Sequence, residues 1–147
     1  MLIPNIGCDD MNKTLTALLA LIIVGCSTTP TGPEDEKPIP PEHIYSASYL
    51  VNKPGNESVK FTRDKGMLGA GCPHMIFIDG DQVFEIFSSQ FVVVSLPPGL
   101  HLFRLDTGQG ACPNESYSQE TTLVLGQPQT YRISISSNFN LMLTRIQ

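Results

Sequence analysis

From residue 44 onward the apolar side chains recur at every second position, in short runs cut by glycine, proline and asparagine. A chain patterned at period two buries one face of a strand, and such strands must pair and stack to hide it. Ser58-Val59-Lys60-Phe61-Thr62-Arg63 alternates polar and apolar throughout. Met75-Ile76-Phe77-Ile78 meets Asp79-Gly80, and Gln82-Val83-Phe84-Glu85-Ile86-Phe87 follows. Asp-Gly between two apolar runs marks a two-residue hairpin, because glycine takes positive φ without steric cost. Phe91-Val92-Val93-Val94-Ser95-Leu96 is unbroken and rich in β-branched residues, which predicts a central strand. Pro97-Pro98-Gly99 ends it, and Leu100 to Leu105 leads away. Further strands are expected near Glu120–Leu125, Thr130–Ser136 and Leu141–Ile146. The expectation is an all-β fold, a small antiparallel β-sandwich or open barrel of about seven to nine strands. No segment after residue 43 carries helical periodicity.

Two of the four cysteines fall inside this domain, in the similar settings Gly71-Cys72-Pro73 and Ala111-Cys112-Pro113. In an oxidising compartment an even pair in a small domain forms a disulfide. The competing arrangement is a metal or redox site built from Cys72, His74 and Cys112. Structural zinc usually takes four ligands, and Cys-Pro-His is not the redox spacing Cys-x-x-Cys. The loops that carry these cysteines, from Gly66 to His74 and from Gly108 to Tyr117, are the candidate binding surface, since a disulfide would pin them together.

The compartment is indicated at the other end of the chain. Lys13 precedes an apolar core from Leu15 to Val24 interrupted only by Thr16. That is shorter than the roughly 20 residues needed to span a bilayer and fits the h-region of a cleavable signal. The segment Ile23-Val24-Gly25-Cys26 resembles the lipobox of bacterial lipoproteins. The resemblance implies cleavage before Cys26, a diacylglyceryl group on its thiol and an acylated amino terminus. Three acyl chains exceed the two that stable membrane attachment requires. Ser27, rather than aspartate, follows the cysteine. In a Gram-negative host the resemblance then implies the outer membrane. Residues 1–10 are apolar and then acidic, the wrong charge for the leading end of a signal. They read as an extension of the gene, Cys8 included, with translation starting at Met11.

Residues 11–25 are therefore read as signal peptide and 26–43 as lipidated cysteine plus linker. Residues 44–147 are read as the β-domain. The linker holds Pro30, Pro33, Pro38, Pro40 and Pro41 around Glu34-Asp35-Glu36. Low apolar content predicts disorder, and proline predicts a semi-extended spacer reaching up to roughly 50 Å. His43, at its end, is expected in solvent.

Charge narrows the partners. From Cys26 onward there are twelve acidic and eight basic side chains, with no basic cluster. Nucleic acid and electrostatic attraction to anionic headgroups are therefore not indicated. No Gly-x-Ser-x-Gly, phosphate loop or His-Glu-x-x-His occurs, so no catalytic residue, metal site or cofactor is assigned. His101 is expected on a strand surface. Asp79-Gly80-Asp81 lacks the other ligands of a calcium loop.

Phe61-Thr62-Arg63, Ile78-Asp79-Gly80-Asp81 and Leu96-Pro97-Pro98-Gly99-Leu100-His101 together resemble a group of uncharacterised bacterial lipoprotein domains, and distantly the PEGA-type β-modules. Cys72 and Cys112 lie outside the PEGA pattern. The resemblance implies a β-fold and says little of activity. The expectation is a non-enzymatic lipoprotein of the cell envelope, held to a membrane by lipid, with a binding or structural role whose partner is unidentified, an envelope protein being the candidate class. The alternatives are an inhibitor of a cell-wall hydrolase, or a hydrolase or metal-dependent enzyme.

Overall fold

The computed structural model describes residues 28–67, 69–108, 110 and 112–147. The expected extension, signal peptide and Cys26 lie outside them. The alternating runs form nine strands. They are β1 (Lys37–Pro38), β2 (Glu57–Arg63), β3 (His74–Ile78), β4 (Asp81–Ile86), β5 (Gln90–Leu96), β6 (Gly99–Asp106), β7 (Ser116–Leu123), β8 (Gln129–Ile135) and β9 (Leu141–Arg145). They make two sheets, ordered β1-β5-β2-β8-β9 and β4-β3-β6-β7. The fold is an all-β sandwich, not closed into a barrel. Its larger sheet is mixed, since β2–β8 and β1–β5 pair in parallel.

The inward phase of each strand fills the space between the sheets. Val59, Phe61, Ile76, Ile78, Phe103 and Leu105 are all fully buried. Phe61 sits at the centre, with ring centroids 5.2 Å from Phe103, 5.5 Å from Phe84 and 5.7 Å from Tyr131. Such aromatic contacts contribute about 0.5–1.5 kcal/mol each beyond burial. The Asp79-Gly80 hairpin forms as its sequence predicts, with φ of 54° and 96°. Positive φ at both residues marks a type I′ turn, whose twist matches the strands it joins.

One expectation about the strands needs correction. β5 is not the central strand of its sheet. β2 holds that place, flanked by β5 and β8, while β5 has only the two residues of β1 beyond it. Along the run Phe91–Leu96, Val92, Val94 and Leu96 point inward and Val93 is exposed.

The linker is the larger correction. Residues 28–43 form a strap laid along the sandwich, so the folded unit begins by residue 28 rather than 44. The Thr28 amide donates to the carbonyl of Ile135 at 3.2 Å, and Thr29 exchanges amide–carbonyl bonds with Lys65. The amides of Lys37 and Ile39 donate to the carbonyls of Ser89 and Phe91, and Ile39 is buried. Proline tolerates this position because a sheet edge does not need its missing N–H. The acidic run is also used: Glu36 accepts bonds from Lys60 Nζ and, at 2.6 Å, from Thr62 Oγ1. Composition alone could not reveal these partners, since they come from strands 24 or more residues away. His43 is likewise not free in solvent. Its Nε2 lies 3.5 Å from Glu85 and its ring 5.1 Å from that of Phe87.

Candidate functional site

The strand directions gather the loops 64–73 and 107–115, the turn 136–140 and Thr28 at one end of the sandwich. The organiser of this end is Arg63, the last residue of β2. It continues the inward phase of Val59 and Phe61 and is buried. Nη1 donates to the carbonyls of Cys72 at 2.7 Å and Ile86 at 2.9 Å, and Nη2 donates to the carbonyl of Gly69 at 2.6 Å. One guanidinium thus ties β2 to the opposite sheet and to the cysteine loop. Burial lowers its pKa to about 10, so it remains charged at neutral pH.

The loops then close on each other. Cys72 and Cys112 are bonded, with Cα atoms 5.7 Å apart. Their sulfurs are therefore unavailable as thiolate ligands, which removes two of the three donors of the metal alternative. Among the described residues no group of three His, Cys, Asp or Glu side chains is placed to hold a metal ion. Gly69 has φ of +64°, which glycine adopts without strain, and a Cβ there would fall 2.7 Å from Ile135 Cδ1 and push that side chain aside.

Between these elements is a cavity of about 250 Å³ with an almost wholly apolar lining. Ile135, Phe139 and Leu141 form one wall, and Gly69, Cys72 and Pro113 lie on others. His74 opens β3 in phase with Ile76 and Ile78, is 1 % exposed and lines the cavity. Its Nδ1 is buried without a hydrogen-bond partner among the described residues. Burial, and secondarily the charge of Arg63, push its pKa down to about 3. The imidazole is neutral at physiological pH. Thr107 Oγ1, also on the wall, donates to the carbonyl of Pro113 at 2.6 Å. At the rim, Met67 is 97 % exposed and Phe139 64 % exposed.

The sequence-predicted site residues divide. Cys72, Cys112 and His74 come together at the cavity. Gly66 and Gly108 shape the surrounding loops with positive φ but do not line it, and Tyr117 sits outside it on β7. Cys26 lies outside the described residues. Sequence reasoning missed Ile135, Phe139 and Leu141 as wall residues, and Arg63 as the clasp. The available signal for Arg63 was a charge in the inward phase of an apolar strand.

His101 departs from its expected place on a strand surface. It is buried at the far end of the sandwich, with Nδ1 2.7 Å from Asp79 Oδ2 and Nε2 2.8 Å from the carbonyl of Pro97. The clasp joins the hairpin turn to the Pro97-Pro98 turn. A second cavity, of about 280 Å³, lies beneath the strap. Its charges are paired, Asp64 with Arg132 in a bidentate contact at 2.6 and 2.7 Å and Glu36 with Lys60.

No family model matches the chain, and neither a curated protein nor a solved structure does.

Proposed function

We propose that the protein is a lipid-anchored, non-enzymatic binding protein of the bacterial cell envelope, working through the disulfide-pinned end of its sandwich. The observation that carries this reading is where the strap starts. Thr28 is hydrogen-bonded to Ile135 and Asp64, beside the cavity, and Cys26 precedes it by only two residues. Two residues span at most about 7 Å. An acyl-bearing Cys26 would hold this end close to the lipid surface, rather than on a spacer of roughly 50 Å. Met67 and Phe139 then face the membrane or a protein lying on it. The lipobox-like segment and the rigid loop pair support the same reading.

Two measurements test it in the native host. Mass spectrometry of the mature amino-terminal peptide is expected to give a triacylated Cys26, with Ser27 next. An unmodified Cys26 in the mature protein overturns the anchor. A photocrosslinker at Met67 is expected to capture an envelope component, and one at Leu100, on the far half of the sandwich, is not. Equal yields from both positions overturn the assignment of the binding end.

A further inference from the structure

We propose that the disulfide end of the sandwich seats directly in a lipid surface, with Met67 and Phe139 inserted at the boundary of headgroups and acyl chains. The proposal rests on the reading of this end as the anchored end, and commits to lipid as what covers it. Two exposed apolar side chains alone would mean little, since single ones are ordinary on protein surfaces. Phe139 is not ordinary. It lies in the turn between β8 and β9, where its amide donates to the Ser136 carbonyl at 2.9 Å and the Ser136 amide donates to the Asn140 carbonyl at 3.0 Å. Its φ is 65°, a left-handed conformation that strains a bulky L side chain. Hairpin positions of this kind customarily take glycine or asparagine. Among the described residues the other non-glycine positions with positive φ are Asp79 and Ser89, both small and polar. Turn chemistry therefore does not account for a phenylalanine here, and its ring is not hidden in the core.

The course of the chain says what covers these side chains. Thr29 exchanges backbone bonds with Lys65, two residues before Met67. Thr28 bonds to Ile135, four residues before Phe139. Residues 26 and 27 therefore enter beside both segments. Cys26 lies within about 7 Å of Thr28, so acyl chains on it would occupy the layer that Met67 and Phe139 face. The apolar run from Leu15 ends at Val24, four residues before Thr28, so an uncleaved chain would bring the same end to a bilayer. Charge favours apolar insertion over headgroup attraction. Lys65 is paired with Asp35 and Arg132 with Asp64, while Glu115 is exposed at this end. Anionic headgroups are therefore not sought, and apolar contact has to supply the attraction.

The chain has no tryptophan, so a single introduced one reports on its own position. Phe139→Trp, Met67→Trp and, as the far-end reference, Leu100→Trp are made in the full chain, purified from membranes and reconstituted in phosphatidylcholine vesicles. Lipid brominated in the upper acyl chain is expected to quench about half of the emission at positions 139 and 67, since an interfacial apolar face sits about 5–10 Å deep. Little quenching is expected at position 100. Added phosphatidylglycerol is expected not to increase the quenching. The proposal is overturned by equal quenching at all three positions, by unquenched emission at 139 and 67, or by quenching that requires phosphatidylglycerol. Blue-shifted but unquenched emission at 139 and 67 would mean that a protein or a second copy covers this end, and overturns it as well. Mass spectrometry of Cys26 in the same sample separates the two failures. An acylated Cys26 with unquenched tryptophans removes the lipid seat and leaves the anchor. An unmodified Cys26 with quenching at 139 and 67 removes the acyl anchor and leaves the lipid seat.

Discussion

The two ends of the sandwich each bury a histidine in the inward phase of a strand, and they treat it in opposite ways. At the far end, His101 meets an oxygen at each ring nitrogen and locks two turns together. At the disulfide end, His74 lines a largely apolar cavity, and its buried Nδ1 has no hydrogen-bond partner among the described residues. The far end closes with local turn chemistry: a type I′ hairpin, a proline pair and a side-chain clasp. The disulfide end is closed instead by long-range devices, a guanidinium, a covalent bond and a returning strap. The long loops of the disulfide end leave a largely apolar cavity between them.

The comparison breaks most severely at Arg63. Arg63→Met keeps the bulk of the stem but removes the guanidinium donor from one buried and two part-buried carbonyls and unties the cysteine loop from β2. Charge-assisted bonds contribute about 1.5–3 kcal/mol each, so a loss of about 5 kcal/mol is expected in urea unfolding. The double replacement Cys72→Ala and Cys112→Ala comes next. The cysteines are 40 residues apart in sequence, so the chain-entropy model gives about 4 kcal/mol. Hydrogen exchange is expected to rise in the loops 64–73 and 107–115 and not at the Asp79-Gly80 hairpin. Equal loss of protection at both ends would mean that the sandwich has no separable ends.

The histidines sharpen the contrast through pH. The His74 pKa is about 3 in the folded chain, against an ordinary 6.5. Between those values the unfolded chain binds a proton that the folded chain does not. Stability therefore rises with pH across the window and is lost as pH falls from 6.5 toward 3, at about 1.4 kcal/mol per pH unit. His74→Leu removes that slope and leaves every other titrating group in place. Between pH 7 and pH 5 the unmodified chain is expected to lose about 2 kcal/mol more than His74→Leu, read as the difference between their urea midpoints at each pH.

How much of this was legible in the sequence differs between the ends. The far end was written locally: Asp79-Gly80 and Pro97-Pro98-Gly99 each specify their turn from adjacent residues. Eight of the strands were legible for the same reason, since alternation is a local property. The strap was not. Thr28, Lys37 and Ile39 find their partners on β8, β5 and the loop after β2, and composition encodes no such distance. The cavity was half legible. Its cysteines and His74 stood out as chemistry, but Ile135 and Leu141 look like any other strand residue until the ends of β8 and β9 meet the cysteine loop. Arg63, His74 and His101 share a signal that could have been read, a polar side chain in step with buried neighbours. Alternation alone does not say which of them will be satisfied.

The smallest effect tests whether the strap belongs to the disulfide end or only lies against it. Thr28 Oγ1 donates to Asp64 Oδ2 at 3.1 Å and accepts from the Ile135 amide at 2.9 Å. Thr28→Val keeps the shape and the backbone bond and deletes both contacts, along with the 3.2 Å contact of the hydroxyl with the Ile135 carbonyl. A net loss of about 1 kcal/mol is expected, confined to the junction of strap and β8. The Ile135 amide should then exchange about fivefold faster, while the amide of Val59 in central β2 keeps its protection. If Val59 slows or speeds in step with Ile135, the strap unfolds only with the whole domain. If only Ile135 responds, the strap is a local clamp. Its release would return residues 28–43 to the spacer that their composition suggested, and an anchored domain could then move away from the lipid surface.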